Sequence, residues 1–403
     1  MQHLSDKQQC VWVPILLIVY NFAANLANDI YLPSLPQLTT FFSTTAATLQ
    51  FTMTAWFAGV AIPQLFLGPL TDKVGRRPIL FGGGLVFLIS TLVSACANNV
   101  WVLIVARFFQ GVGVCSLNVT TFSILVDLYE YKYRIKVMNK IILCGTASPL
   151  LGPILGGYFL TLFGWRSNFL VIFALGMVGL IGLWFKLPES NLFLNPRAMD
   201  YKSLCKNYYL IFTTKGFIKH LLPYCLLLGG LVVYLTAAPF IIITKLKFSP
   251  EYFGYTQLPV FATYILGGLY VGSSPEETHI RMLLKRGIKL VFIAGICLLL
   301  SCYFFKNSIY AFILPMMLYG LGFSFCASTL VTEVMSLGSE MKGYAAAFLG
   351  FGMAISCVLC SGMLSFFYDG TLVSVAFIIF TIAGLALLIY NPSQKITKSL
   401  VLN

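Results

Sequence analysis

Long apolar runs alternate with short polar intervals along the whole chain. Each run holds roughly 20 residues or more, the length that an α-helix needs to cross a bilayer core about 30 Å thick. Helices are expected in lipid because they satisfy their own backbone hydrogen bonds. The pattern predicts twelve membrane-spanning helices, at residues 12–36, 48–69, 78–97, 101–127, 136–162, 167–187, 217–244, 252–272, 287–305, 309–335, 342–367 and 371–390.

Composition excludes a soluble globular domain. Of the 403 residues, 59% are hydrophobic and only 10% are charged, and the mean hydropathy is +0.88. The first run lacks the short apolar core and the cleavage site of a signal peptide, so we interpret it as a retained helix. The sequence therefore predicts an all-α membrane protein, which we expect to be a monomer in the lipid bilayer.

The runs divide into two sets of six. The only long polar interval, residues 188–216, separates a predicted bundle at 1–187 from a second at 217–403. The two parts resemble one another weakly, because Gln110-Gly-Val-Gly113 in the fourth run corresponds to Tyr319-Gly-Leu-Gly322 in the tenth. This predicts two pseudo-symmetric six-helix bundles with a site between them near the middle of the membrane.

The net charge of +13 reflects topology rather than a nucleic-acid partner. If both termini lie in the cytoplasm, loops on that side hold 21 of the 26 lysines and arginines. Such an excess on the cytoplasmic side is typical of membrane proteins, and anionic lipid attracts it further. We therefore predict cytoplasmic termini and no nucleic-acid partner.

A polar stripe interrupts the first run. Asn21, Asn25, Asn28 and Asp29 recur at helical spacings of three and four, so they share one face. Such a face needs water or protein partners and is not expected to contact lipid. Two interpretations stay open: Asp29 faces a cavity, or it reaches the outer interface beside the prolines that follow.

Arg107 is a second ionisable group inside an apolar run. It shares a helix face with Gly111, Val114 and Asn118, and its guanidinium stays charged under any relevant condition. It either ties helices together or couples to a carboxylate, because a fixed cation links protonation of a neighbouring acid to conformation. At the offset of the internal repeat its counterpart is Met316, so the first half carries the ionisable groups.

Two further segments have unusual compositions. The turn Gly68-Pro-Leu-Thr-Asp-Lys-Val-Gly-Arg-Arg-Pro78 places Asp72 beside the predicted start of the next helix, where the dipole favours a carboxylate. The fifth run contains Ser148-Pro-Leu-Leu-Gly-Pro-Ile-Leu-Gly-Gly157. Its prolines and glycines predict either a hinge or a closely packed corner, formed by Pro149, Gly152, Pro153, Gly156 and Gly157.

These segments resemble the major facilitator superfamily of transporters. Residues 68–77 match its loop signature, Arg107-Phe-Phe-Gln-Gly-Val-Gly113 resembles its fourth-helix signature, and Leu187-Pro-Glu-Ser190 resembles the end of its sixth helix. Residues 148–157 are similar to its antiporter signature, with Ser148 where a glycine is expected. Asp29-Ile-Tyr-Leu-Pro-Ser-Leu-Pro36 resembles the Bcr/CflA drug-resistance branch and its MdfA-like relatives.

The resemblance implies a drug:proton antiporter of the bacterial inner membrane. Asp29 and Arg107 take the positions of the family's proton-coupling residues, whereas Asn21 replaces a second acid, which implies one proton per cycle. A cytoplasmic gate is implied at Gly68, Asp72, Gly75, Arg76, Arg77 and Asp127. In the alternative interpretation, the turn at residues 68–78 only fixes the membrane topology of the chain.

The substrate is expected to be small and amphipathic, because one acid and one arginine leave the site near-neutral. We predict a cavity lined by Asn21, Asn25, Asn28, Tyr31, Asn118, Tyr234, Tyr264 and Tyr319. Export of a dedicated metabolite, such as a siderophore or amino-acid derivative, is the alternative. No cofactor or metal is expected, and no group of residues suggests an enzyme; the spacing of Cys357 and Cys360 favours helix packing.

Overall fold

The protein is a bundle of long helices joined by short turns. The structure, a computed structural model, describes residues 12–273 and 277–390, and no strand occurs among them. Fourteen α-helices follow one another: α1 Trp12–Asp29, α2 Leu35–Phe41, α3 Ala46–Val74, α4 Arg76–Ala95, α5 Val100–Leu128, α6 Tyr131–Phe163, α7 Arg166–Lys186, α8 Tyr201–Thr213, α9 Phe217–Pro239, α10 Pro250–Gly272, α11 Glu277–Phe304, α12 Ile309–Leu337, α13 Lys342–Phe367 and α14 Leu372–Ile389.

The helices lie where the apolar runs predict them. Eleven spans in the described part of the chain are long and apolar enough to cross a membrane, the first of them formed by α1, α2 and the turn between them. The predicted run 252–272 coincides with α10, which is long enough to cross but is not one of those eleven spans. The all-α membrane class predicted from the sequence is confirmed.

The first run does not form one continuous helix. Helix α1 ends at Asp29, a 3₁₀ turn follows at Leu32–Ser34, and α2 begins at Leu35. Pro33 and Pro36 explain the break, because proline cannot donate a backbone hydrogen bond and its ring clashes with the preceding turn. Asp29 is therefore the last residue of α1, at the point where the backbone changes direction.

Helix α8 lies between the sixth and seventh spans and marks one end of the bundle, which we call the linker end. Asp200 caps α8 by accepting a hydrogen bond from the backbone N–H of Ser203 at 3.0 Å. The hydroxyl of Tyr208 donates to the carbonyl of Leu65 in α3 at 2.7 Å. The division into two bundles at 188–216 stays a prediction, and the two termini lie outside the described residues.

The opposite, distal end is closed by contacts between the first six spans and the later ones. Gly157 of α6 packs against the backbone of Pro250, with space for no side chain. The hydroxyls of Tyr158 and Tyr255 lie 2.8 Å apart, and Thr161 donates to Glu251. A separate contact joins α3 to α13. Any passage through the bundle is therefore blocked at the distal end.

The α3–α13 contact uses side chains rather than backbone. The hydroxyls of Thr54 and Ser361 lie 2.9 Å apart, and the rings of Phe51 and Phe366 meet edge to face at 5.6 Å. Around both contacts, buried residues from early and late helices form one continuous hydrophobic cluster that includes Tyr31 and Ile241. Burying apolar side chains on both sides stabilises the closed distal end.

Candidate functional site

The polar stripe of α1 faces the protein interior. Asn21 is buried, and its amide donates to the carbonyl of Leu17 at 2.8 Å and to the hydroxyl of Thr121 in α5 at 3.1 Å. The amide of Asn25 donates to the carbonyl of Asn21 at 2.8 Å. The asparagines therefore use their amides to bond back to α1 and across to α5, which removes the cost of placing them in the membrane.

Asp29 lies at the C-terminal end of this interior surface. Its side chain is 5% exposed. Oδ2 accepts a hydrogen bond from Ser148 of α6 at 2.7 Å, and Oδ1 accepts one from Asn28 at 3.0 Å. Gly152, one turn after Ser148, lets α6 pack directly on Asp29, because an added Cβ would lie 2.7 Å from the Cβ of Asp29. The acid is thus buried by its own helix and by α6.

Arg107 is fully buried beside this acid. Nη1 donates to the carbonyl of Ala27 at 2.9 Å and to Oε1 of Gln110 at 2.5 Å. Its guanidinium carbon lies 4.3 Å from the ring centroid of Tyr31, close enough for a cation–π interaction. The interpretation of Arg107 as a tie between α5 and α1 therefore has direct geometric support.

Arg107 and Asp29 do not form an ion pair in the described chain. They act on one another electrostatically, but the hydrogen bonds of Arg107 go to the carbonyl of Ala27 and the amide oxygen of Gln110. Nε and Nη2 have no hydrogen-bond partner among the described residues. A buried acid and a buried cation that are neighbours without direct contact can change their interaction after a small movement of α1 or α5.

The predicted cavity residues do not surround one opening. Tyr31, Tyr234 and Tyr319 are fully buried; the ring of Tyr234 packs on Phe312. The hydroxyl of Tyr319 donates to the carbonyl of Leu227 at 2.7 Å. In this conformation these tyrosines belong to the packed interior.

Asn118 and Tyr264 are only partly buried. The ring of Tyr264 lies 5.6 Å from that of Phe323 in α12. Asn118 lines an opening at the linker end, which we call the linker-end cavity. Of the predicted set, Asn118 is therefore the residue that contributes to this opening.

The linker-end cavity has a volume of about 570 Å³. It lies between α3, α5, α13 and the segment before and within α8, and it combines amide and hydroxyl groups with aromatic and small apolar side chains. The residues that line it are Gln64, Gly68, Pro69, Thr71, Asp72, Arg76, Asn118, Val119, Phe122, Ser123, Asn195, Ala198, Tyr208, Gly343, Tyr344, Ala346 and Ala347. Such a mixed lining suits an amphipathic ligand.

The acids and the arginine of the predicted gate meet at the rim of this cavity. Arg76 pairs with Asp72 at 2.5 Å and with Asp127 at 3.3 Å. Gly68 lies on the cavity wall. Arg77 points elsewhere, because Nη2 donates to the carbonyl of Trp184 at 2.9 Å. The structure therefore brings together the partners expected for Arg76 and separates Arg77 from them.

The start of α4 corrects one expectation about Asp72. Asp72 lies inside the last turn of α3, and the carboxylate at the start of α4 belongs to Glu189. It accepts from the backbone N–H groups of Arg76 at 2.9 Å and Arg77 at 3.1 Å, where the helix dipole favours a negative charge. Gly75 makes this approach possible, with φ of 109° and no space for a Cβ beside Glu189.

The sequence offered little to predict Glu189. Its position in the segment after α7 resembles the family's sixth-helix ending, but nothing in the spacing indicates that it folds back onto a turn more than 100 residues earlier. Gln64 was missed as well; it accepts a hydrogen bond from the thiol of Cys115 at 2.9 Å and lines the linker-end cavity. A glutamine within an apolar run was the available signal.

The proline- and glycine-rich segment lies inside a continuous helix. Pro149 and Pro153 are within α6, which runs unbroken from Tyr131 to Phe163. A Cβ on Gly156 would overlap the carbonyl of Ile30 after α1, and one on Gly157 would lie 2.6 Å from that of Pro250. The segment therefore allows close packing on both sides; its action as a hinge stays a prediction.

Sequence comparisons identify relatives over most of the chain. A model of the Major Facilitator Superfamily matches residues 17–359. A protein named Multidrug transporter MdfA from Yersinia pestis bv. Antiqua (strain Angola) is 25% identical over 338 residues, which cover 84% of this chain and 82% of that protein. Its namesake from Edwardsiella ictaluri (strain 93-146) is 27% identical over 289 residues, covering 71% and 70%.

Solved transporter structures share the fold. The crystal structure of a D-xylose-proton symporter superimposes with a TM-score of 0.76 at 15% identity, covering 94% of this chain and 97% of that one. The human organic anion transporter MFSD10 (TETRAN) gives a TM-score of 0.65 at 16% identity, covering 95% and 99%. At these identities the likeness concerns the fold alone, and it agrees with the fold that the motifs predict.

Proposed function

Because the chain belongs to the Major Facilitator Superfamily, it is a membrane transporter, and we propose that it exports small amphipathic molecules in exchange for protons. The observation that carries this proposal is Asp29, a carboxyl group buried between α1 and α6 without an ion-pair partner. Titratable groups inside a membrane protein are costly to keep and are usually functional. A buried acid that binds and releases a proton is what proton exchange requires.

We further propose an orientation with the linker end in the cytoplasm of a bacterium. The excess of basic residues in the loops of that end supports it. In this orientation the closed distal end faces outward, and the linker-end cavity opens to the cytoplasm. The conformation is then the one that loads substrate from inside the cell.

In the proposed cycle, Asp29 changes protonation as the transporter alternates between two states. Substrate enters from the cytoplasmic side while the Asp29 proton leaves, and substrate departs on the outside as Asp29 takes up a new proton. Arg107 remains charged throughout and responds to that change from its site beside Tyr31. The proton gradient drives export because the two states differ in their affinity for the proton.

The proposed substrate class follows from the cavity and from the relatives. Amide and hydroxyl groups stand beside aromatic rings in the linker-end cavity, and curated relatives of similar length are named multidrug transporters. Asn21 stands where the MdfA-like relatives carry a second acid. We therefore expect neutral and singly charged compounds to be exported, with one proton exchanged per cycle.

Proton release on ligand binding tests this function. Purified protein in detergent and weak buffer receives ethidium, tetraphenylphosphonium or chloramphenicol, and a pH dye records released protons. We expect release by the wild type and none by Asp29→Asn, because asparagine has no proton to exchange. Asp369→Asn is the matched control, since Asp369 lies on an exposed loop and should leave release unchanged.

Transport into proteoliposomes completes the test. An imposed proton gradient should drive ethidium transport by the wild type and by Asp369→Asn, and Asp29→Asn should reduce that transport to the background rate. Gradient-driven transport that survives in Asp29→Asn would overturn the assignment of Asp29. If none of the three probes causes proton release and ethidium is not transported, the export of a dedicated metabolite is favoured instead.

A further inference from the structure

The hydroxyl of Ser148 has an unusual partner for a serine within a helix. Ser148 is fully buried near the middle of α6, and its hydroxyl donates to Oδ2 of Asp29 at 2.7 Å, across 119 residues of sequence. Other hydroxyls of α6 bond back to their own helix: Thr146 to the carbonyl of Ile142 at 3.0 Å and Thr161 to that of Gly157 at 3.1 Å. Thr161 also donates to Glu251 at the exposed distal end, whereas the carboxylate that Ser148 bonds is buried inside the bundle.

Among the described residues, this hydrogen bond is the one that joins the Asp29 carboxylate to another helix. The other donor to the carboxyl group, Asn28, is its neighbour in α1. Among charged groups on the elements packed around it, Arg107 of α5 acts on Asp29 without an ion pair, and it contacts the ring of Tyr31. From α6, the titratable side chain one turn before Ser148 is that of Cys144. A change in the protonation of Asp29 would therefore act on α6 through its hydrogen bond with Ser148.

Helix α6 also reaches the later half of the chain. Gly157 packs on the backbone of Pro250, and Tyr158 pairs with Tyr255 at 2.8 Å. A hydroxyl donates to an ionised carboxylate strongly, but it is free to rotate and accept when the acid carries the proton. A change at Asp29 thus changes the strength of a bond on a helix that closes the distal end.

We propose that Ser148 is a positioning residue that holds the ionised Asp29 carboxylate and links its protonation to α6. Its role in transport rests on the proposed function, whereas the hydrogen bond itself does not. Ser148 stands where the antiporter signature carries glycine, so the chain adds a donor where that pattern has none. The serine that departs from the signature is thus the residue that donates to Asp29.

Infrared spectroscopy of the purified protein tests the bond directly. The carboxyl band that Asp29→Asn removes reports protonation of Asp29 during a pH titration. In Ser148→Ala and Ser148→Gly we expect the titration midpoint to rise by about one pH unit, because the ionised form loses a donor. Thr146→Ala is the matched control on the same helix; it should leave the midpoint where the wild type has it.

Ethidium transport at several pH values is measured on the same variants. A rise of the midpoint together with a parallel shift of the pH profile supports the proposal. An unchanged midpoint in both Ser148 variants overturns it, whatever happens to transport. A shifted midpoint with transport that does not need Asp29 leaves the hydrogen bond in place and overturns the proposed function instead.

Discussion

Helices α5 and α12 pack in the same way but carry different chemistry. In α5, Gly111 lies against the carbonyl of Trp56, and in α12, Gly320 lies against the carbonyl of Val260. Each glycine lets a long helix approach the backbone of the span that precedes it by two, α3 or α10. Backbone contact of this kind allows tight packing in a membrane, where lipid provides no hydrophobic drive between helices.

The side chains one turn earlier differ sharply. Arg107 donates to the carbonyl of Ala27, whereas its counterpart Met316 is fully buried among apolar groups. Gln110 holds Arg107, whereas its counterpart Tyr319 donates a hydroxyl hydrogen bond to Leu227. In these two helices the packing scaffold occurs twice while the ionisable group occurs once. Within α5 and α12, therefore, the buried charge on which the proposed proton coupling depends lies in the first half.

Placing a charge in α12 should produce the largest effect. Met316→Arg would place a guanidinium inside the hydrophobic cluster to which the fully buried Met316 belongs. We expect a loss of about 3 kcal/mol or more in the free energy of unfolding, seen as poor expression and early thermal unfolding in detergent. Met316→Leu keeps the apolar character and volume, so it should unfold close to the wild type.

A stable Met316→Arg protein would contradict the asymmetry. It would mean that α12 offers hydrogen-bond acceptors to a cation as readily as α5 does. Intrinsic fluorescence during heating measures both variants, and size-exclusion chromatography separates folded protein from aggregate. The contrast between Met316→Arg and Met316→Leu is the quantity that decides, since it isolates the charge from the change in shape.

The glycine contacts should be unequal in strength, which refines the scaffold comparison. A Cβ on Gly111 would overlap the carbonyl oxygen of Trp56, whereas one on Gly320 would lie 2.9 Å from that of Val260. We expect Gly111→Ala to cost about 2 kcal/mol and Gly320→Ala less than about 1 kcal/mol. Thermal unfolding in detergent measures both. Equal losses would show that the two contacts are equally tight.

Much of the fold could be predicted because lipid imposes a simple rule on sequence. Spans need long apolar runs, and the boundaries of α7 and α14 fall within a residue or two of the predicted 167–187 and 371–390. The break after Asp29 was harder, since hydropathy continues through Pro33 and Pro36 while the backbone cannot. Hydropathy gives the extent of a run, and the prolines within it decide whether the helix continues.

The site was only partly predictable because its partners are distant in sequence. Asp29 and Arg107 are conspicuous as ionisable groups in apolar runs, and the structure places them side by side. Nothing in the sequence around Ser148 indicates its partner, because its bond to Asp29 depends on the packing of α6 against α1. Tyr234 and Tyr319 looked like cavity walls by composition, but aromatic content does not show which face of a helix is buried.

Removing the hydroxyl of Tyr319 should have the smallest effect and is the finest test of the comparison. Tyr319→Phe keeps the ring against Gly230 and loses one hydrogen bond to Leu227. Because that carbonyl lies within α9, where the helix ladder supplies a donor, we expect a loss of only about 0.5–1 kcal/mol. Ethidium transport should stay near the wild-type rate, since the groups proposed to bind and respond to the proton belong to the first half.

The exposed Tyr310, at the start of α12, provides the matched control. Tyr310→Phe should change neither unfolding temperature nor transport, because its hydroxyl is not part of the interior. If Tyr319→Phe abolishes transport while unfolding like the wild type, Tyr319 contacts substrate in another state of the cycle. The second half would then contribute specific chemistry rather than packing alone, and the asymmetry between α5 and α12 would concern charge but not recognition.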